Sequence, residues 1–195
     1  ACAPYRRLHL CHHNLEKIST KKIDNTHKLL AEVCYAAKEE GASITRYHGR
    51  HKLDNNNSAS QLCTVLARSF ADIGDIVRGR DLFYGNPQES AQRIILEKNF
   101  KKYFQQIYND VTSRKKSAEA KDRYKDTKNF YQLREDWWTA NRETVWKAIT
   151  CNAQGNTYFR ATCDINNEKG PSMTPSHCRC EGANANQVPT YFDYV

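Results

Sequence analysis

Eight cysteines, seven histidines and a dense run of lysine and arginine are the residues of this chain whose chemistry could define a function. Thiols and imidazoles can hold zinc, but that needs two closely spaced ligand pairs. Here no cysteine belongs to a CxxC pair. The nearest groupings, Cys11-His12-His13 and His177-Cys178-Arg179-Cys180, place ligands side by side and do not make the usual chelating knuckle. No metal and no cofactor is expected. The even set of Cys2, Cys11, Cys34, Cys63, Cys151, Cys163, Cys178 and Cys180 reads instead as disulfides, which persist in oxidising compartments, so the chain is expected to work outside a cell or on its surface. A secreted basic hydrolase such as a ribonuclease would need two histidines and a lysine for acid, base and charge stabilisation. His9, His12, His13, His27, His48, His51 and His177 scatter over predicted loops and helix ends without a recognisable motif, so no catalytic residue is assigned and the chain is expected not to be an enzyme.

The charge is more informative. The chain carries a net +8 with a pI near 9.1, which favours acidic partners. Between Lys98 and Arg134 stand eleven basic residues against four acidic ones, a surplus of seven that is nearly the whole net charge. A run of this kind is also what an ordinary solvated helix face looks like, and acids such as Asp122 and Asp126 could support helix pairs. Its clustering suits a polyanion, since flexible cations along a helix and its following loop can meet several sulfates without shape matching. The candidates for glycan binding are Lys98, Lys101, Lys102, Arg114, Lys115, Lys116, Lys121, Arg123, Lys125 and Lys128. The extracellular setting demotes nucleic acid, which is not expected as a partner.

The elements that must position these residues are helices; no strand alternation is long enough to build a sheet, and the chain is read as all-α. The spacing of Leu29, Leu30, Val33, Cys34 and Ala37 predicts a first helix from about Thr26 to Glu40, with Gly41 placed to end it. A second runs from Ser60 to Gly79, carrying Leu62, Val65, Leu66, Phe70, Ile73, Ile76 and Val77 at helical period, with Asn57 or Ser58 as its cap. Gly74 within it would allow a neighbour to approach closely, and Asp72 or Asp75 could bond across that contact. Asn86-Pro87-Gln88-Glu89 opens a third helix with an Asn cap, Pro at the first helical position and Glu three residues on. Leu96, Phe100, Phe104, Ile107 and Val111 form its buried stripe, and Lys98, Lys101, Lys102 and Gln105 lie on another face. A fourth spans roughly Asn129 to Ile149, packing Leu133, Trp137, Ala140, Val145, Ala148 and Ile149 inward, with Trp138 and Trp146 widening the apolar face. After Cys151 the glycines, prolines, Asn, Ser and Thr describe an irregular loop held by cysteines.

With 195 residues, 39% hydrophobic and 27% charged, and a mean hydropathy of -0.84, the chain can bury a real core. No stretch approaches the ~20 apolar residues of a membrane helix, so no membrane insertion is expected of it. Two parts are expected: residues 1–58, loop-rich with the first helix, and residues 59–195, a helical bundle ending in a cysteine-bearing loop. Asn56-Asn57-Ser58 is a formal glycosylation acceptor.

Several ordered motifs carry a resemblance. Ala1-Cys2-Ala3-Pro4-Tyr5-Arg6-Arg7-Leu8-His9-Leu10-Cys11, Leu30-Ala31-Glu32-Val33-Cys34 and the stretch from Ala67 to Gly79 come first. Arg134-Glu135-Asp136-Trp137-Trp138, Asn141-Arg142, Val145 to Cys151, Tyr158-Phe159-Arg160 and Phe192-Asp193-Tyr194-Val195 follow. Over nearly its whole length the chain resembles the Duffy-binding-like adhesion domains of malaria parasites, most closely the α class of the variant erythrocyte membrane proteins. The resemblance implies a disulfide-linked helical module with long irregular loops. It implies binding to a glycan or protein receptor on host cells, exposure to antibodies, and display on the extracellular face of the infected red cell through a transmembrane anchor outside this chain. It implies no catalysis. Family members continue into a third helical subdomain, so only the first two subdomains are expected here. The resemblance also suggests that Cys63 pairs with Cys163 and that Cys34 lies near Cys151 as its partner, and it leaves the partners of Cys2, Cys11, Cys178 and Cys180 unassigned.

Overall fold

The computed structural model describes residues 10, 14–15, 26–54, 61–83, 85–113, 117–163 and 170–194. Among them are five α-helices: α1 (Thr26–Asp54), α2 (Leu62–Arg78), α3 (Pro87–Ser113), α4 (Ser117–Arg123) and α5 (Tyr131–Ile149). Two 3-10 turns, Gly182–Asn184 and Phe192–Tyr194, complete the described elements, and no strand occurs among the described residues. The fold is all-α. None of the described helices is long and apolar enough to cross a membrane.

The chain divides into two compact units that interleave along the sequence. The first contains Ala1–Ala36 and Gly74–Asn141, the second Ala37–Ile73 and Arg142–Val195.

In the first unit, α3 begins with the reciprocal cap that the sequence predicts. The Glu89 amide donates to Asn86 Oδ1 and the Asn86 amide donates to Glu89 Oε2, each at 2.9 Å, which satisfies two backbone donors at a helix start. Leu96, Phe100, Tyr103, Phe104 and Ile107 are its buried face; Val111 is only partly covered and Tyr103 takes part instead. Phe104 meets Trp137 of α5 edge to face at 6.1 Å. Trp138 lies against Gly74, where an added Cβ would sit 2.8 Å from Trp138 Cζ2, so the expected close approach is real. Asp75, however, bonds along its own helix, accepting from Arg78 Nη2 at 2.7 Å. α2 ends as expected at Gly79: with φ at 74° this residue lets the Arg80 amide reach Asp75 O and the Gly79 amide reach Ile76 O, satisfying carbonyls that the helix leaves open.

In the second unit, α1 does not stop at Gly41. It continues to Asp54 because Gly41 serves packing: a Cβ there would lie 1.9 Å from Ile149 O, and only a bare Cα admits the backbone of α5. Phe70 packs edge to face on Trp146 at 5.2 Å, and Val145, Trp146 and Ile149 are buried. In α5 as a whole, Leu133, Trp137 and Trp138 are buried too, whereas Ala140 faces solvent and Ala148 is half-covered, contrary to the inward stripe expected.

The disulfides differ from the expected pairing. Cys63 joins Cys178, closing a separation of 115 residues, and Cys163 joins Cys180 across 17. Cys34 and Cys151 are free thiols. The physical reason is where residues 176–180 lie. Trp146 Nε1 donates to Cys178 O at 3.1 Å, and Arg179 donates from Nε to Thr150 Oγ1 at 2.7 Å and from Nη2 to Lys147 O. These bonds dock the segment on α5 and present Cys178 to the start of α2. Cys163 meanwhile exchanges backbone hydrogen bonds with Ser172 and takes Cys180. Cys2, Cys11, the Asn57 or Ser58 cap and the Asn56 acceptor lie outside the described residues.

Candidate binding surface

The candidate cations that the structure describes all belong to the first unit. Lys98, Lys101 and Lys102 stand on α3, Lys121 and Arg123 on α4, which packs against α3, and Lys125 and Lys128 on the loop that leads into α5. Arg114, Lys115 and Lys116 lie outside the described residues. Lys98, Lys102, Lys121, Arg123, Lys125 and Lys128 are exposed and Lys101 is half-buried.

Exposure alone does not make these residues equivalent. Arg123, although exposed, is committed to a partner on its own chain: its Nε and Nη2 donate to the two Asp136 oxygens at 2.6 and 2.8 Å, a bidentate pair that ties α4 to α5. Tyr124 Oη and Gln132 Nε2 donate to the same carboxylate, each at 3.0 Å. These donors, Arg123 first, hold the Asp136 carboxyl below its ordinary value, and the carboxylate in turn raises Arg123. Lys125 Nζ meets Asp122 at 3.0 Å, but both ends are largely in solvent, where such a pair is weak. Lys101 Nζ stands 3.9 Å from Glu97. Lys98, Lys102, Lys121 and Lys128 make no ion pair among the described residues, which leaves four ammonium groups on this unit open to an external anion.

The loop that carries Lys128 is fixed by Asp126. Its carboxylate accepts from the backbone amides of Asn129, Lys128 and Tyr131 at 3.0, 3.1 and 3.3 Å, so it caps the start of α5, and these bonds depress its pKa. Phe130 adopts a φ of 61° immediately before the helix. The short helix α4 escapes the sequence reading: seven residues hold too few apolar positions to show a period.

Arg134, counted in the basic run, contributes nothing to this surface. Its side chain is 0% exposed, donates to Glu97 at 3.0 and 3.1 Å and lies over Phe104 at 5.4 Å. Arg78 is similarly buried, on Asp75 and Glu135. In the second unit Arg142 binds Asp193 at 2.7 and 2.8 Å and the Thr190 carbonyl at 2.9 Å. A guanidinium carries several donors in a planar fork, which suits Arg78, Arg134 and Arg142 to their buried or half-buried carboxylate partners.

The family model of the Duffy binding domain matches residues 1–195. The chain belongs to the Duffy-binding family. Among solved structures this Duffy-binding chain is similar to one described as the ICAM-1-binding PfEMP1 IT4var13 DBLbeta domain, with 33% sequence identity and a TM-score of 0.60. The likeness covers 77% of this chain and 34% of that one, so the chain spans about a third of the length of the structure it matches. No curated protein matches it.

Proposed function

We propose that this chain is a non-enzymatic, extracellular adhesion module that binds a sulfated glycan, such as heparan sulfate, on host cells through the first unit. Membership of a binding family supports the adhesion class. The observation that carries the glycan reading is the set of exposed ammonium groups on α3, α4 and the following loop, Lys98, Lys102, Lys121 and Lys128, none of which meets a carboxylate among the described residues. A flexible polyanion needs separated cations of this kind more than a shaped pocket. Binding should weaken linearly on logarithmic axes as salt rises, with a slope that reports the anionic groups neutralised. Replacing Lys98, Lys102, Lys121 and Lys128 by Gln should flatten that slope by about one for each ammonium–sulfate pairing removed, while Tm changes little because Gln and Lys have similar helix propensity at the three helical positions and Lys128 is an exposed loop residue. Heparin affinity chromatography across salt concentrations measures this; an unchanged slope overturns the glycan reading.

A second reading, binding to a protein receptor through a less charged surface, is favoured by the solved structure it resembles, which is described as ICAM-1-binding. Binding of the chain to receptor ectodomains that is retained when Lys102, Lys121 and Lys128 are replaced by Gln distinguishes it. In either case the module is proposed to sit on the outer face of an infected red cell, held by an anchor elsewhere in a longer protein.

A further inference from the structure

The first unit also contains a cavity of about 480 Å3 between the end of α2, the first half of α3 and the start of α5. That is within the range of ligand sites, which are concave, mostly apolar and edged by a few placed polar groups. Ile76, Phe83, Leu96 and Phe100 supply apolar walls, and Ile94 and Tyr131 stand in the lining while 61% and 48% exposed. Leu82, between the lining residues Asp81 and Phe83, is 84% exposed. Apolar side chains gathered in solvent at one place mark an interaction site more often than isolated ones do.

The charges of the lining set the character of what fits. Both of its acids are already engaged by guanidinium groups: Asp81 by Arg93 Nη2 at 2.5 Å, and Glu97 by the buried fork of Arg134. Lys101 lies only at the limit of ion-pair distance from Glu97, and Lys98 meets no carboxylate among the described residues. The rim is therefore apolar with two ammonium groups in search of an anion. A sulfated sugar would satisfy the lysines and leave Ile94, Leu82 and Tyr131 in water.

We infer that this groove receives an acidic, apolar peptide segment of a partner protein, an aliphatic or aromatic side chain entering between Ile94 and Tyr131 while a neighbouring carboxylate meets Lys98 and Lys101. The inference rests on the protein-receptor reading and gives it a location. Peptide grooves work in this way, with pockets for apolar side chains and charge at the edge for register.

The probe is a display library of random nine-residue peptides selected on the whole chain, followed by affinity measurement of the selected peptides on the wild type and on Ile94→Ser and Lys98→Gln variants. Both positions are exposed helix sites, so unchanged Tm is the control for folding. The expected result is enrichment of peptides that place Asp or Glu beside Leu, Ile, Phe or Tyr. Their affinity should fall about tenfold or more with Ile94→Ser, which removes an apolar wall of the groove, and should lose part of its salt dependence with Lys98→Gln. Heparin retention should not change with Ile94→Ser. No enrichment, enrichment without acidic residues, or binding untouched by Ile94→Ser overturns the groove. Binding to phosphatidylserine vesicles that Ile94→Ser abolishes, in the absence of peptide enrichment, overturns it in favour of a lipid surface. A receptor ectodomain that binds wild type and Ile94→Ser equally sinks the groove and leaves the protein-receptor reading standing, whereas absence of any ectodomain binding strikes that reading itself.

Discussion

Asp136 accepts four hydrogen bonds, two from Arg123 and one each from Tyr124 and Gln132, and its folded pKa is depressed from the ordinary 3.8. A depressed carboxyl stabilises the fold at pH values above its unfolded pKa, and that contribution disappears as pH falls through the folded value. Asp126, capping α5, behaves in the same sense. The junction of α4 with α5 should therefore loosen in acid, below the ordinary carboxylate range. Asp136→Asn should lower Tm at neutral pH and show a smaller further drop than the wild type when pH is taken from about 5 to about 2; an equal drop in both proteins would remove Asp136 as a cause of acid lability. The thiols allow a second test on single residues. Burial pushes Cys34 up to about 11, while Cys151 is exposed. Since the thiolate is the reactive form, iodoacetamide at neutral pH should modify Cys151 first and leave Cys34 largely intact until the protein unfolds. Peptide mass mapping over time reads the order directly.

Among the helices, glycine positions separate packing from propensity. Gly41 and Gly49 lie in the same helix, α1, yet a Cβ at Gly41 would strike the Ile149 carbonyl whereas one at Gly49 would meet nothing within 4 Å. Gly41→Ala should destabilise by about 1–3 kcal/mol or more, the cost of forcing extra volume into a packed contact. Gly49→Ala should be neutral or stabilising by up to about 1 kcal/mol, because Ala is the better helix former and the site is open. Chemical denaturation of the two variants measures the contrast; a Gly41→Ala variant as stable as Gly49→Ala would mean that helix propensity, not the α5 contact, governs Gly41. The same pair explains what the sequence could and could not convey. The Asn86-Pro87-Gln88-Glu89 start of α3 and the Gly79 end of α2 are legible because each is settled by neighbours a few residues away. Gly41 reads as a stop only because its true reason lies more than a hundred residues along the chain. The buried stripes of α2 and α3 are largely legible from their period. The cavity and the disulfide pairing are not, for both depend on where an irregular or distant segment docks. Within the binding surface, residue type shows the positive charge, and only the structure separates Lys98, Lys102, Lys121 and Lys128 from Arg123, which is spent on Asp136, and Arg134, which is buried.

At the scale of the molecule, two units are built from alternating stretches of one chain, and the second is locked by bridges of very different span. In the chain-entropy account the Cys63–Cys178 closure is worth roughly 4–5 kcal/mol and the Cys163–Cys180 closure roughly 3. The cysteines that make them, Cys178 and Cys180, are separated by Arg179 alone, whose guanidinium is held by Thr150 Oγ1 and the Lys147 carbonyl. That arrangement makes oxidative folding a problem of choosing between two near-identical thiols. If residues 176–180 have not docked when oxidation begins, Cys63 has almost equal access to either, and the crossed isomer, Cys63 with Cys180 and Cys163 with Cys178, becomes a kinetic trap left only by thiol exchange. Arg179 then acts as a chaperone carried within the chain, committing the register before the covalent step. Refolding Arg179→Ala from the reduced state should give a mixture of the native and crossed isomers by non-reducing peptide mapping, and should recover the native isomer when a glutathione couple is supplied; a single native pattern without the couple would assign that choice to other contacts.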